Sequence, residues 1–212
     1  MIAADFFITR SMSSVLARIG AVLVLCVTLV DPAATETIAS AYTSAAAKDC
    51  RTIGGRQERD SSTQTCPGKD GLIVLVNEGD LRQTVSVGRN VRAAAKEPAA
   101  QSWFGPFNAA GNTVEWRTAD GKPFAIIQRW QIADNDDQGK NGPKDKPMLV
   151  VTRLPPGPVC HVAYVDAAAN TNANELARQA ADETARGFAC GKDKIKIVGM
   201  RGRAIDLALP PN

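Results

Sequence analysis

NTVEWRTADGKPFAIIQRWQI, residues Asn112 to Ile132, is the stretch whose reading decides the fold. Two runs, Asn112 to Thr118 and Pro123 to Ile132, flank an Asp120-Gly121 pair, which is the composition of a β-hairpin. The loop sets the register. A two-residue Asp-Gly turn opposes Arg117 to Phe124 and Glu115 to Ile126. A three-residue loop, with Gly121 left-handed, opposes Trp116 to Phe124 and Val114 to Ile126. The second brings apolar side chains together on one face, so the sequence predicts the three-residue loop.

Working towards the N-terminus, Leu72 to Val76 is a continuous aliphatic run that fits a strand buried on both faces. Asn77-Glu-Gly-Asp80 reads as a turn, and Leu81 to Val87 as the returning strand, with Val85 and Val87 inward. Residues 88 to 102 are weakly helical until Pro98, and Trp103 to Asn108 is an aromatic turn cluster. Working towards the C-terminus, residues 133 to 147 are polar and rich in Gly and Pro, as expected of an exposed loop. Met148 to Leu154 and Val159 to Val165 are the last core strands, joined through Pro155-Pro-Gly-Pro158. Asn170 to Gly187 is the principal helix, with Asn172 and Glu175 spaced as a capping box. Leu176, Ala177, Ala180, Ala181, Thr184 and Phe188 form its apolar face, while Arg178, Asp182 and Arg186 form an exposed charge ladder. A basic tail follows from residue 191 to 212, in which Ile195 and Ile197 alternate with Lys194 and Lys196. The pattern predicts one α+β domain, residues 42 to 212. It has an antiparallel sheet of about five to seven strands, with one main C-terminal helix packed on it.

The first 41 residues read as a targeting segment. Arg10 and Arg18 give a positive start, Ile19 to Val30 is a twelve-residue uncharged apolar run, and Ala39-Ser-Ala41 is a cleavage signal before Tyr42. A second candidate cut lies near Ala34. The apolar run is too short to span a bilayer, so no membrane span is expected once the leader is removed. Cys26 is flanked by apolar residues and belongs to that run.

Four cysteines remain: Cys50, Cys66, Cys160 and Cys190. An even number in an exported chain implies disulfides, and four allow three pairings. Cys50–Cys66 with Cys160–Cys190 is preferred, because each pair brackets one local unit. Metal binding is not expected, since no close Cys-x-x-Cys spacing is present and His161 is the only histidine. The whole chain carries 25 basic and 22 acidic residues, and loss of Arg10 and Arg18 against Asp5, Asp31 and Glu36 leaves +4. So mild a charge does not call for a nucleic-acid partner.

Candidate chemistry is sparse. Any Ser-His-Asp or Cys-His mechanism must use His161, which sits mid-strand beside Cys160. Asp134, Asp136, Gly139 and Asp145 resemble parts of a calcium loop, but Asn141 and the intervening lysines break the pattern. Glu78, Asp80, Glu115 and Asp166 could supply a carboxylate pair. Trp103, Phe104 and Phe107 are the candidate recognition surface, with Trp116 and Trp130 the other tryptophans of the hairpins. Lys194, Lys196, Arg201 and Arg203 form a basic stripe. No catalytic residue, cofactor or metal ligand is assigned.

Several phrases carry a resemblance: Cys66-Pro-Gly, Glu78-Gly-Asp-Leu-Arg82, Phe107-Asn, Glu115-Trp-Arg117, Gly121-Lys-Pro, Arg129-Trp130, Cys160-His-Val-Ala-Tyr-Val-Asp166, Ala173-Asn, Leu176-Ala-Arg178 and Phe188-Ala-Cys190. Over about residues 50 to 190 the chain resembles an uncharacterised family of exported proteins from alphaproteobacteria. That resemblance implies a periplasmic or secreted location and transfers no activity. The leading expectation is a non-catalytic binding or inhibitor-like module recognising an envelope protein or glycan. A small envelope hydrolase using carboxylates or His161, and a structural envelope component, are the alternatives.

Overall fold

The structure is a computed structural model that describes residues 35–54 and 61–209. The predicted positive start and apolar run of the leader lie outside the described residues. The chain forms β1 (Ile38–Ser44), β2 (Arg51–Gly54), β3 (Ser61–Pro67), β4 (Ile73–Gly79), β5 (Arg82–Gly88), α1 (Val91–Ala94), β6 (Asn108–Ala119), β7 (Lys122–Gly139), β8 (Gly142–Arg153), β9 (His161–Asp166), α2 (Ala173–Thr184), β10 (Lys196–Ile197) and α3 (Arg203–Ala208). These elements make an α+β domain of two sheets. One has six strands in the order β1-β6-β7-β8-β9-β10, and the other four in the order β2-β3-β4-β5. All pairings are antiparallel except the short parallel match of β10 to β9.

Alternation along β6 to β9 divides the six-stranded sheet into two buried faces. Val114, Trp116, Ile126, Trp130, Ile132, Met148, Val150 and Tyr164 point to the side of Val74 and Val87 on the second sheet, which α3 extends through Ala204 and Ile205. Ala125, Ile127, Leu149, Val151, Ala163 and Val165 point the other way, onto the alanine face of α2. Small residues at Ala173, Ala177, Ala180 and Ala181 let that helix lie close on the strands. The large six-stranded sheet is therefore covered on both sides, which is why its strands are apolar on both faces.

The decisive hairpin takes neither predicted register. Its loop is the two-residue Asp120-Gly121 turn, with φ of 48° and 79° and Ala119 opposite Lys122. Thr118 then faces Pro123, but Arg117 faces Ala125 and Trp116 faces Ile126, so Phe124 is an extra residue on β7. β7 is a central strand, and a proline there has no N–H for the ladder, so Pro123 is accommodated beside a bulge. The bulge restores apolar pairing without the wider loop. It also turns Phe124 towards α2 and leaves Trp116 in the inter-sheet core.

Other boundaries move as well. The β4–β5 turn is Asp80-Leu81, with φ of 50° and 58°, so Asn77 to Gly79 belong to the strand. The expected loop at 133 to 147 is a continuation of β7 and β8, paired from Ala133↔Asp145 to Gly139↔Gly142 with one irregularity. Asp137 is bonded across it by Lys144 and Lys146, which lets a highly charged ribbon pair without apolar alternation. The basic tail folds: Lys196–Ile197 joins the sheet and α3 places Ile205 in the core. In α2, the Asn172 side chain makes no capping bond.

The Ala41–Tyr42 junction, predicted as the leader cleavage point, lies inside β1. Ile38 to Ala41 are paired with Ala119 to Trp116, so the sheet begins upstream of that junction. Both disulfides, Cys50–Cys66 and Cys160–Cys190, are formed as the preferred pairing requires. The first ties β2 to β3, and the second ties the start of β9 to the chain after α2.

Candidate functional site

The three aromatic residues of the predicted recognition surface separate. Phe104 is buried, with its ring 5.2 Å from Trp130, 5.7 Å from Tyr164 and 5.9 Å from His161. It is core, and so are Trp116 and Trp130. Trp103 and Phe107 remain at the surface, 47% and 39% exposed, and Leu81 at the β4–β5 turn is 61% exposed. The turn and the 103–107 segment are bonded to each other. The Arg82 guanidinium donates to the Gly105 carbonyl at 2.8 Å, lies 4.8 Å over the Phe107 ring and pairs with Asp80. Asn108 donates its backbone N–H to the Leu81 carbonyl at 3.0 Å, and its side chain accepts from the Gln83 N–H. Gly79 sits beside Trp103, where an added Cβ would lie 4.0 Å from the indole. Leu81 is a non-glycine residue held left-handed at an exposed tip, a backbone conformation that the surrounding bonds must impose. Sequence reading missed Leu81 because it looked like the first residue of a strand.

His161 is unsuited to meeting a substrate. It is buried, Nδ1 lies 2.8 Å from the Tyr164 hydroxyl, and desolvation pushes its pKa down to about 4. Burial raises the Tyr164 pKa for the same reason. The candidate carboxylates do not converge. Asp166 is buried and accepts from the N–H groups of Ala168, Ala169 and Ala204, so it joins the β9 exit to the start of α3. A Cβ on Gly202 would lie 2.6 Å from that carboxylate, which explains glycine there. Glu78 accepts from Gln83, and Asp80 pairs with Arg82. Asp134, first residue of the calcium-like stretch, accepts two bonds from Arg203, whose guanidinium holds its carboxyl below the usual range. Among the described residues no group of His, Cys, Asp and Glu is placed to hold a metal ion.

The charge ladder of α2 is not a solvated face. Arg178 donates to Glu115 at 2.6 Å, and Arg117 grips Asp182 at 2.8 and 2.6 Å. Ser40 of β1 bridges the two pairs, donating to Glu115 and accepting from Arg117. Arg186 pairs with Glu36 at 2.7 Å and stacks 5.0 Å over Phe124. The basic stripe is likewise engaged, with Lys196 bonded to Thr184, Arg201 to Asp206 and Arg203 to Asp134 and Asp136.

A cleft of about 640 Å³ opens at the other end of the β4–β5 hairpin from Leu81, between the Asp120 turn, the Leu154–Pro156 segment and Arg186. Arg153, at the end of β8, reaches it from a position only 8% exposed. The only sequence signal for it is a cation at the end of an otherwise apolar strand. Comparison with family models, with curated proteins and with solved structures finds no match to this chain.

Proposed function

We propose that the protein is exported and acts in the bacterial envelope as a non-catalytic binding module, with the Leu81–Trp103–Phe107 platform as its recognition surface. The observation that carries this reading is the exposure of three large apolar side chains on two segments that are hydrogen-bonded to each other. Aromatic side chains held rigidly lose little conformational freedom on binding, which suits them as anchors for an envelope protein or for the apolar face of a glycan. The hydrolase alternative needs His161 or a carboxylate pair to meet substrate, and each of those groups is committed to internal bonds.

Export is supported by two formed disulfides, which persist in oxidising compartments. Among the described residues no helix is long and apolar enough to cross a membrane. The leader is proposed to end near Ala34, because a cut at Ala41 would remove Ser40 and half of β1. N-terminal sequencing of protein isolated from its host reads this directly, and a Tyr42 start refutes it.

Capture from envelope extract on the wild-type protein and on a Trp103→Ala, Phe107→Ala variant tests the platform. A protein or glycan retained by the first and lost from the second is expected. Identical retention on both would remove the platform from the account.

A further inference from the structure

The cleft beside Arg153 is built unlike the rest of the charged surface. Elsewhere in the six-stranded sheet, Asp166 is held by three backbone N–H groups, and the other buried charges meet opposite charges: Arg117 has Asp182, Glu115 has Arg178 and Asp134 has Arg203. Arg153 has none among the described residues. Its Nε donates to the Ala185 carbonyl at 3.1 Å, and its terminal nitrogens donate to the Pro158 and Pro156 carbonyls at 2.8 Å each. Those carbonyl dipoles aim the guanidinium and offset part of its charge. They occupy three of five N–H groups and supply no net negative charge. Burying a cation without a counter-ion is unfavourable, and an anion in the cleft would supply one.

The surroundings point the same way. Lys122 and Arg89 line the cleft, and neither has a carboxylate at ion-pair distance among the described residues; the Arg89 side chain reaches only the Asp70 carbonyl, at 3.5 Å. Of the acids present, Glu36 is engaged by Arg186, and Asp120 accepts the Thr37 N–H at 2.9 Å. Asp70 is the remaining one, so four cations face three carboxylates. Phe124, Pro155 and Pro156 give the cleft an apolar wall. Its volume of about 640 Å³ is in the range that encloses small organic ligands.

We propose that this cleft binds a small organic anion, with a phosphate or carboxylate head between Arg153, Lys122 and Arg89 and an apolar body against Phe124 and Pro155. A planar guanidinium with free N–H groups matches either head group, and phosphate offers it more acceptors. The site is distinct from the Leu81–Trp103–Phe107 platform, and the two readings fail independently.

The test is a titration of the ¹⁵N-labelled protein, both disulfides intact, with phenyl phosphate, benzoate and inorganic phosphate, and with benzyl alcohol as the neutral control. Saturable shifts of the Arg153 and Arg186 Nε–H signals and of the Phe124 amide are expected, with a dissociation constant of about 1 mM or tighter for the better aromatic anion. Whether phenyl phosphate or benzoate binds tighter identifies the head group. Because Arg153 also braces three carbonyls, the variant to use is Arg89→Glu with Lys122→Glu, both at the exposed rim, which should weaken binding about tenfold or more. Non-saturating shifts, equal shifts with benzyl alcohol, or unchanged affinity in the double variant would overturn the proposal. The Trp103→Ala, Phe107→Ala variant is expected to bind these anions as wild type does.

Discussion

His161 makes the stability of this fold dependent on mild acid, and the size of the effect follows from its burial. In the folded chain the imidazole is sealed against Phe104 and Tyr164, and its pKa falls from 6.5 to about 4. In the unfolded chain it titrates near its ordinary value. Above about pH 6.5 both states hold it neutral and it imposes no pH dependence. As pH falls from about 6.5 towards 4, the unfolded chain takes up a proton that the folded chain refuses, so stability drops; below about 4 the loss is complete. At about 1.4 kcal/mol per pH unit the full loss is about 3 kcal/mol, of which about 2.5 kcal/mol has occurred by pH 4.5. Carboxylates also weaken the fold in acid; Asp137, for example, is held down to about 2 by Lys144 and Lys146. A His161→Phe variant separates the two contributions, since it keeps every carboxylate and removes only the imidazole. It strands the Tyr164 hydroxyl and should be less stable than wild type by about 1–2 kcal/mol at pH 7.5. At pH 4.5 the order should reverse, with the variant ahead by about 1 kcal/mol. Urea unfolding with disulfides intact, at a series of pH values, reads both curves. A stability gap that stays constant from pH 7.5 to 4.5 refutes the reasoning, because the histidine would then not be held neutral by the fold.

Three further outcomes are expected. Asp182→Ala leaves the buried Arg117 guanidinium without its carboxylate and should lower stability by about 2–3 kcal/mol in urea unfolding, whereas an exposed ladder residue would change it by about 0.5 kcal/mol or less. Ile205→Ala removes a fully buried side chain between α3 and the sheet and should lower stability by about 2–5 kcal/mol; a negligible effect would return residues 191 to 212 to the status of a loose tail. Replacing Cys160 and Cys190 together by Ser opens a loop with a sequence separation of 30 and should lower the unfolding free energy by about 3–4 kcal/mol, while thiol titration of the oxidised wild type should find Cys50, Cys66, Cys160 and Cys190 all blocked.

The elements legible in the sequence are those whose side chains record a single environment. Leu72 to Val76 reads as a doubly covered strand, and the structure has a strand from Ile73 in which Val74 and Leu75 are buried while Ile73 and Val76 are half-buried. The alanine face of α2 reads correctly because only small residues at helical spacing allow so close an approach. Elements written in charge were misread. Asp134, Asp137, Lys144 and Lys146 look like a solvated loop, yet Lys144 and Lys146 pair with Asp137 across a ribbon and Asp134 is buried under Arg203. α3 was hidden by the arginines around Ala204, Ile205 and Ala208. β1 was hidden for a different reason: Ala39-Ser-Ala41 satisfies a cleavage signal and a sheet edge equally, and its seven-residue pairing with β6 leaves no mark in its side chains.

Local pattern also fails at the two places where function is proposed, and it fails in one way. Leu81 is an apolar residue at a turn that asks for Gly or Asn, and the bonds from Asn108 and Arg82 hold it there. Arg153 is a cation at the end of an apolar strand, and three carbonyls hold it in place without neutralising it. Neither placement is an ordinary choice for the free protein: glycine would relax the turn, and Arg153 buries a charge whose carbonyl partners supply no counter-ion. The other buried arginine of the sheet, Arg117, is paired with Asp182, so the fold has no general need for such exceptions. Both exceptions also open onto surface that a second molecule can reach, one through an exposed aromatic platform and the other through a cleft. The same residues would become ordinary once a partner covers Leu81 and an anion reaches Arg153.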